Sequence, residues 1–256
     1  MANRPSISEH VKRAVRQACG FGCVICGYPI YDYDHIIPFS TINEHAVDNL
    51  ILLCGTHYTE KSRGLIPTAA VIEARQNPIN KRTGVSDVQS LHFSGEKCTI
   101  KLGSYIATND LQHMHGSFTA VVIANEPLLV FRIEDEHLLL RMNLKDGQNN
   151  TLLMIENNEM IFKTDVFDLS YVGGRMIIRK DIADPIASIW LRPPNEIIIE
   201  RATFVNQAFE LKVTPSDVSD QYDNRLNGAR SINVKYGVVL NSRDEFWPSL
   251  AYIQSY

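Results

Sequence analysis

No window of the 256-residue chain approaches the 18 or so consecutive apolar residues of a helical membrane span. Its first residues, Met-Ala-Asn-Arg-Pro-Ser, also lack the apolar core of a signal peptide. Cysteine is scarce: there are five, an odd number, and four of them precede residue 55, which excludes a disulfide framework. Charge of one sign does not dominate, and a net charge of −4 is not that of a strongly basic nucleic-acid binder. After residue 90 there is no nucleophile–base pair, no glycine-rich phosphate cradle and no metal-ligand cluster. These absences lead us to expect a cytoplasmic protein with reduced cysteines and no membrane partner. At 45% apolar residues the chain has ample material for a core.

What is present concentrates between Gly22 and Gly64. Cys23 and Cys26 form a C-x-x-C pair flanked by Gly22 and Gly27, and after 27 residues Cys54 and His57 form a C-x-x-H pair. Two such knuckles pinch one tetrahedral ion, and Cys/His is the chemistry that zinc takes, so these four residues predict a closed, structural zinc site. Cys19 competes with Cys23 as a ligand, but its C-x-x-x-C spacing and helical position favour Cys23. Between and around the pairs sit Asp34, His35 and Asn49.

Residues 7–18 read as a short helix capped by Ser6 or Ser8 and ended by Cys19-Gly20. Tyr31 to Ile37 reads as a strand closed by Pro38, residues 39–47 as polar loop, and Leu50 to Leu53 as a second strand. Thr56 to Ser62 then reads as a helix stopped by Gly64, and residues 67–76 as another, beginning with Pro67. Residues 77–84 are polar and turn-rich, which places a domain boundary near residue 86. Residues 1–86 carry nine Lys/Arg against seven Asp/Glu, and residues 87–256 carry sixteen against twenty-two. From residue 90 onward short β-branched runs recur every 8 to 12 positions, among them Thr99–Leu102, Thr119–Ile123, Leu138–Met142 and Phe209–Val213. That pattern predicts an all-β unit. The fold class is therefore α+β: an N-terminal zinc-containing unit, 1–86, followed by an all-β sandwich or barrel, 87–256. Ile133-Glu134, Ile155-Glu156 and Ile199-Glu200 fall 22 and 44 residues apart, which leaves a β-solenoid as the alternative.

Asp34, His35 and Asn49 carry the chemistry. Adjacent strand residues face opposite ways, so only a distorted strand end brings Asp34 and His35 to one site. Hydrolysis of a phosphodiester needs a base to activate water, and an imidazole, titrating near neutral pH, suits that task at His35. A carboxylate such as Asp34 suits a hard divalent cation on the phosphate. Asn49 can hydrogen-bond the backbone that carries His35. His10 and His45 are isolated histidines read as surface residues, and His113 and His115, flanking Met114, could share a metal at i, i+2, but their loop placement argues against it. Trp190 and Trp247 read as core or interface, and Glu134-Asp135-Glu136 as a solvated turn.

The order C-x-x-C, Asp-His-Ile-Ile-Pro, Asp-Asn-Leu-Ile-Leu-Leu-Cys-x-x-His resembles the HNH endonucleases, zinc-containing members of the ββα-metal nuclease fold. The likeness spans about residues 7 to 83, including the trailing Lys-Ser-Arg-Gly-Leu-Ile-Pro. It implies zinc on Cys23, Cys26, Cys54 and His57, Asp34 as ligand of a catalytic Mg²⁺ or other divalent ion, His35 as general base and Asn49 as the central amide. It also implies DNA as the partner, with Lys61 and Arg63 placed for phosphate contact, and defence against foreign DNA as a setting. One position departs: Tyr58 stands where the family has a histidine that binds the catalytic metal. Another group completes the site, or the enzyme is slow, or the domain is a zinc-stabilised DNA-binding module without cleavage. The resemblance does not reach the β region, for which regulation by a small-molecule or protein effector, targeting, or homodimer formation is expected.

Overall fold

Our computed structural model describes residues 5–113, 115–241 and 246–248. Ser8 opens helix α1 (Glu9–Cys19), its Oγ accepting the Val11 N–H, and Gly20 closes it in the left-handed conformation at φ 73°. Strands β1 (Asp32–His35) and β2 (Leu50–Leu53) pair antiparallel, with Asp34 opposite Ile51 and His35 opposite Leu50. All four residues of β2 are fully buried, which a two-stranded ribbon alone cannot achieve. Helix α1 packs on β2, Val24 N–H donates to the Leu52 carbonyl, and Arg75 Nε donates to the Leu50 carbonyl. Val15, Val24, the β2 residues and Val71 form one buried cluster.

Two short helices stand where polar loop or turn is predicted. Helix α2 (Phe39–Ile42) is one turn set by Pro38 and ended by Asn43 at φ 54°. Helix α3 (Gly55–Ser62) leaves β2 directly, and α4 (Thr68–Gln76) follows Pro67. Helix α5 (Ile79–Thr83) begins after Pro78, and its Asn80 is almost fully buried. The Asn80 amide donates to the carbonyls of Gly20 and Gly27, 3.0 and 3.1 Å away, so a Cβ at Gly27 would run into it. A four- or five-residue helix shows no hydrophobic period, which is why neither is visible in the sequence.

Beyond α5 the regular elements of the described chain are all strands, joined by turns and loops. Eight strands form one open sheet, from Phe246–Pro248 at one edge to Gln89–Ser90 at the other; ten more form a second around the Glu196–Asn206 strand. Most neighbours are antiparallel, and the parallel Glu196–Asn206 and Lys97–Leu102 strands are one exception. Buried side chains of both sheets join one cluster, as in a two-sheet stack, with no closed ring. The solenoid alternative is overturned. Ile133 pairs antiparallel with Leu138, and Ile155 with Met160, each just before a two-residue turn with both φ positive. Those turns, Ala124-Asn125, Asp135-Glu136 and Asn157-Asn158, recur at multiples of eleven residues, so the 22-residue spacing is two steps of a meander. Met114 lies outside the described residues, as do the side chains of Phe246–Pro248, Trp247 included.

The two cores meet along α1. Arg16 grips Asp168 with Nε to Oδ1 at 2.9 Å and a second nitrogen to Oδ2 at 2.8 Å, and both residues are buried. Gln17 donates to the Phe167 carbonyl, and Phe21 joins the β cluster. No helix among the described residues is long and apolar enough to cross a membrane.

Candidate active site

Tight turns bring the four zinc-type ligands together. Cys23 and Cys26 lie on a knuckle closed by the Gly27 N–H to Cys23 carbonyl bond, and Cys54 caps α3 while His57 sits in its first turn. The four ligand atoms lie within 4.8 Å of one another, the one such group of three or more among the described residues. Cys26 and Cys54 Sγ are 3.8 Å apart, and His57 Nδ1 is 3.3 Å from both Cys23 and Cys54 Sγ. Bonds of about 2.3 Å to sulfur and about 2.0 Å to nitrogen put tetrahedral edges at roughly 3.5 to 3.8 Å, so the set fits zinc. The Cys23 thiol is pushed down to about 4, chiefly by a hydrogen bond from Cys26, whose own thiol moves up. Cys19 is fully buried outside the group, its thiol pushed up to about 11 by burial.

Asp34 and His35, neighbours on β1, have different side-chain partners. The Asp34 carboxylate meets the Lys61 ammonium at 2.6 Å, and Lys61 also donates to the His35 carbonyl at 2.6 Å. Lys61 therefore straps α3 to β1; Arg63, at the end of α3, is exposed. His35 is buried, with Nε2 3.1 Å from His45 Nδ1, and His45 Nε2 is 2.8 Å from the Pro5 carbonyl. Phe39 stacks on His45 at 4.7 Å and meets His35 edge-on at 5.6 Å. Asn49 bonds Ile37 twice at 2.8 Å, its Oδ1 accepting the N–H and its Nδ2 donating to the carbonyl. That clamp fixes the chain two residues past His35.

The donors beside His35 do not fit a hard divalent ion as they stand. The Asp34 Oδ2 is held by an ammonium, and Tyr58, one turn before Lys61 on α3, is 45% exposed and brings a phenol. Mg²⁺ takes carboxylates and water, not a neutral phenol.

Outside this region His10 is exposed, and His113 is 74% exposed beside Asp110. Trp190 carries the Arg192 guanidinium 4.8 Å from its ring centre. His45, read from the sequence as an isolated surface residue, lies against His35, a contact that reading did not foresee. Its link to His35 depends on the one-turn α2, which leaves no sequence signal. No curated protein and no solved structure matches the chain. Residues 23–56, which span the first knuckle, both strands and the start of α3, match the HNH endonuclease family model, and the match covers that segment alone.

Proposed function

We propose that residues 1–86 form a zinc-stabilised HNH-type unit that engages DNA and hydrolyses its phosphodiester bonds, and that residues 87–256 regulate or target it. One observation carries the reading: the segment matching the HNH endonuclease model, residues 23–56, contains β1, β2 and the start of α3 and holds Asp34, His35 and Asn49. His35 takes a proton from water, the water oxygen bonds to phosphorus, and the bond from phosphorus to the leaving oxygen breaks. The leaving oxygen draws its proton from solvent. Asn49 holds the loop after His35, and the Lys61 ammonium puts a positive charge beside it. Zinc on Cys23, Cys26, Cys54 and His57 would tie the knuckle to α3, a structural role.

The second reading is a DNA-binding module that does not cut. It is favoured by the Asp34–Lys61 pair and by Tyr58 in place of an imidazole. Incubating zinc-loaded protein with plasmid, alone and with Mg²⁺, Mn²⁺ or Ni²⁺, separates the two. The nuclease reading expects nicking that His35→Ala abolishes; equal, negligible rates for both proteins leave DNA binding alone.

A further inference from the structure

Two aromatic rings, Phe39 and His45, meet His35, and the Pro5 carbonyl backs His45, so their order bears on where the His35 proton sits. The Pro5 carbonyl can only accept, so the facing His45 Nε2, 2.8 Å away, carries a hydrogen. In a neutral His45 the other nitrogen, Nδ1, then bears a lone pair. It faces His35 Nε2 at 3.1 Å, so that nitrogen carries the hydrogen between them. The neutral His35 ring is thereby left with its lone pair on Nδ1. Phe39 packs on both rings, stacked on His45 and edge-on to His35, with the two histidine rings tilted 43° to each other.

We infer that His45 is a positioning residue for His35: it locks the Nε2–H tautomer and the ring orientation, and so directs the Nδ1 lone pair of the base. The inference rests on the nuclease reading for its consequence, since a general base acts only through the nitrogen that lacks the proton. When His35 takes a proton from water at Nδ1, its Nε2–H bond to His45, backed by the Pro5 carbonyl, remains in place.

The test has two arms. In the first, ¹⁵N-histidine spectra of the zinc-loaded full chain are recorded, with the His35 signals assigned by their loss in His35→Ala. Wild type is expected to show a single Nε2–H tautomer at His35. His45→Phe keeps the stack on Phe39 but offers no acceptor, and a mixture of tautomers is expected. His45→Asn restores a carbonyl acceptor and should bring the Nε2–H form back. A His35 tautomer that is unchanged in His45→Phe overturns the inference, whatever the cleavage result. In the second arm, plasmid nicking by His45→Phe should fall about 10- to 100-fold in kcat with KM little changed, the size of effect expected when a partner that orients an active imidazole is removed. Recovery in His45→Asn is expected; a loss shared equally by both variants counts against tautomer control. Wild type that never nicks sinks the nuclease reading, and the spectra still decide the tautomer.

Discussion

An ammonium 2.6 Å from a carboxylate, with less than a fifth of either side chain exposed, competes directly with any divalent ion for the same oxygen. Lys61 lies one helical turn beyond Tyr58 on α3, so the two share a face. Lys61→Met frees Asp34 and Tyr58→His adds an imidazole on that face. The double variant should bind Mn²⁺ at least about tenfold more tightly than wild type, each tenfold being roughly 1.4 kcal/mol. Manganese titration of zinc-loaded protein checks this, and unchanged affinity would show that neither residue governs cation binding. The bonds from Asn49 to Ile37 carry a second expectation. Asn49→Ala should cost about 1 kcal/mol, read as a lower urea midpoint with an unchanged slope, and Asn49→Asp, which keeps the acceptor, should cost less. His45 shows the limit of reading single residues: a lone histidine in a polar stretch has no partner until a fold brings one.

The residues around the β1–β2–α3 element that could hold a metal ion come in pairs close in sequence. Cys23 and Cys26 on one turn and Cys54 and His57 on another each span one knuckle, so the pairs are legible as spacing alone. The buried Leu50–Leu53 run was equally plain, because four apolar residues between turn signals have few alternatives. The helices α2 and α5 were hidden, since one turn has no period and Asn80 gains its role from the distant carbonyls of Gly20 and Gly27. In the β region the hairpin strands show as runs split by turns, whereas the parallel pairing of Glu196–Asn206 with Lys97–Leu102 joins residues about a hundred apart and leaves no local trace. If the zinc set organises this element, metal removal should melt it selectively. Chelation is expected to erase the far-UV helical signal, carried in the described chain by α1 to α5, while the strand signal persists, and zinc should restore it. Retention of the helical signal in metal-free protein would assign the stability of the element to its apolar cluster instead.

At the scale of the whole chain the question is what joins the two cores. Helix α1 serves both: Val15 packs into the cluster around β2, while Arg16 and Gln17 reach Asp168 and Phe167 of the β region. Burial works against the Arg16 charge, but the hydrogen bonds and charge interactions of Asp168 and Tyr33 together more than offset it, so the guanidinium is held charged. Arg16 also donates to the Tyr33 hydroxyl at 3.0 Å, two residues before His35, which links the β region to β1 through one side chain. A pair this deeply buried stabilises little relative to an apolar replacement, yet breaking it strands a charge. Asp168→Ala is therefore expected to destabilise the protein by about 3–5 kcal/mol, while Arg16→Met with Asp168→Leu should recover most of that loss. Calorimetry of the full chain reads both at once. In Asp168→Ala the transition of residues 1–86 should move below that of the β region and separate from it. In the apolar double variant the two should merge again. If Asp168→Ala melts in one transition at the wild-type temperature, the grip of Arg16 on Asp168 is not what couples the N-terminal core to the sheets.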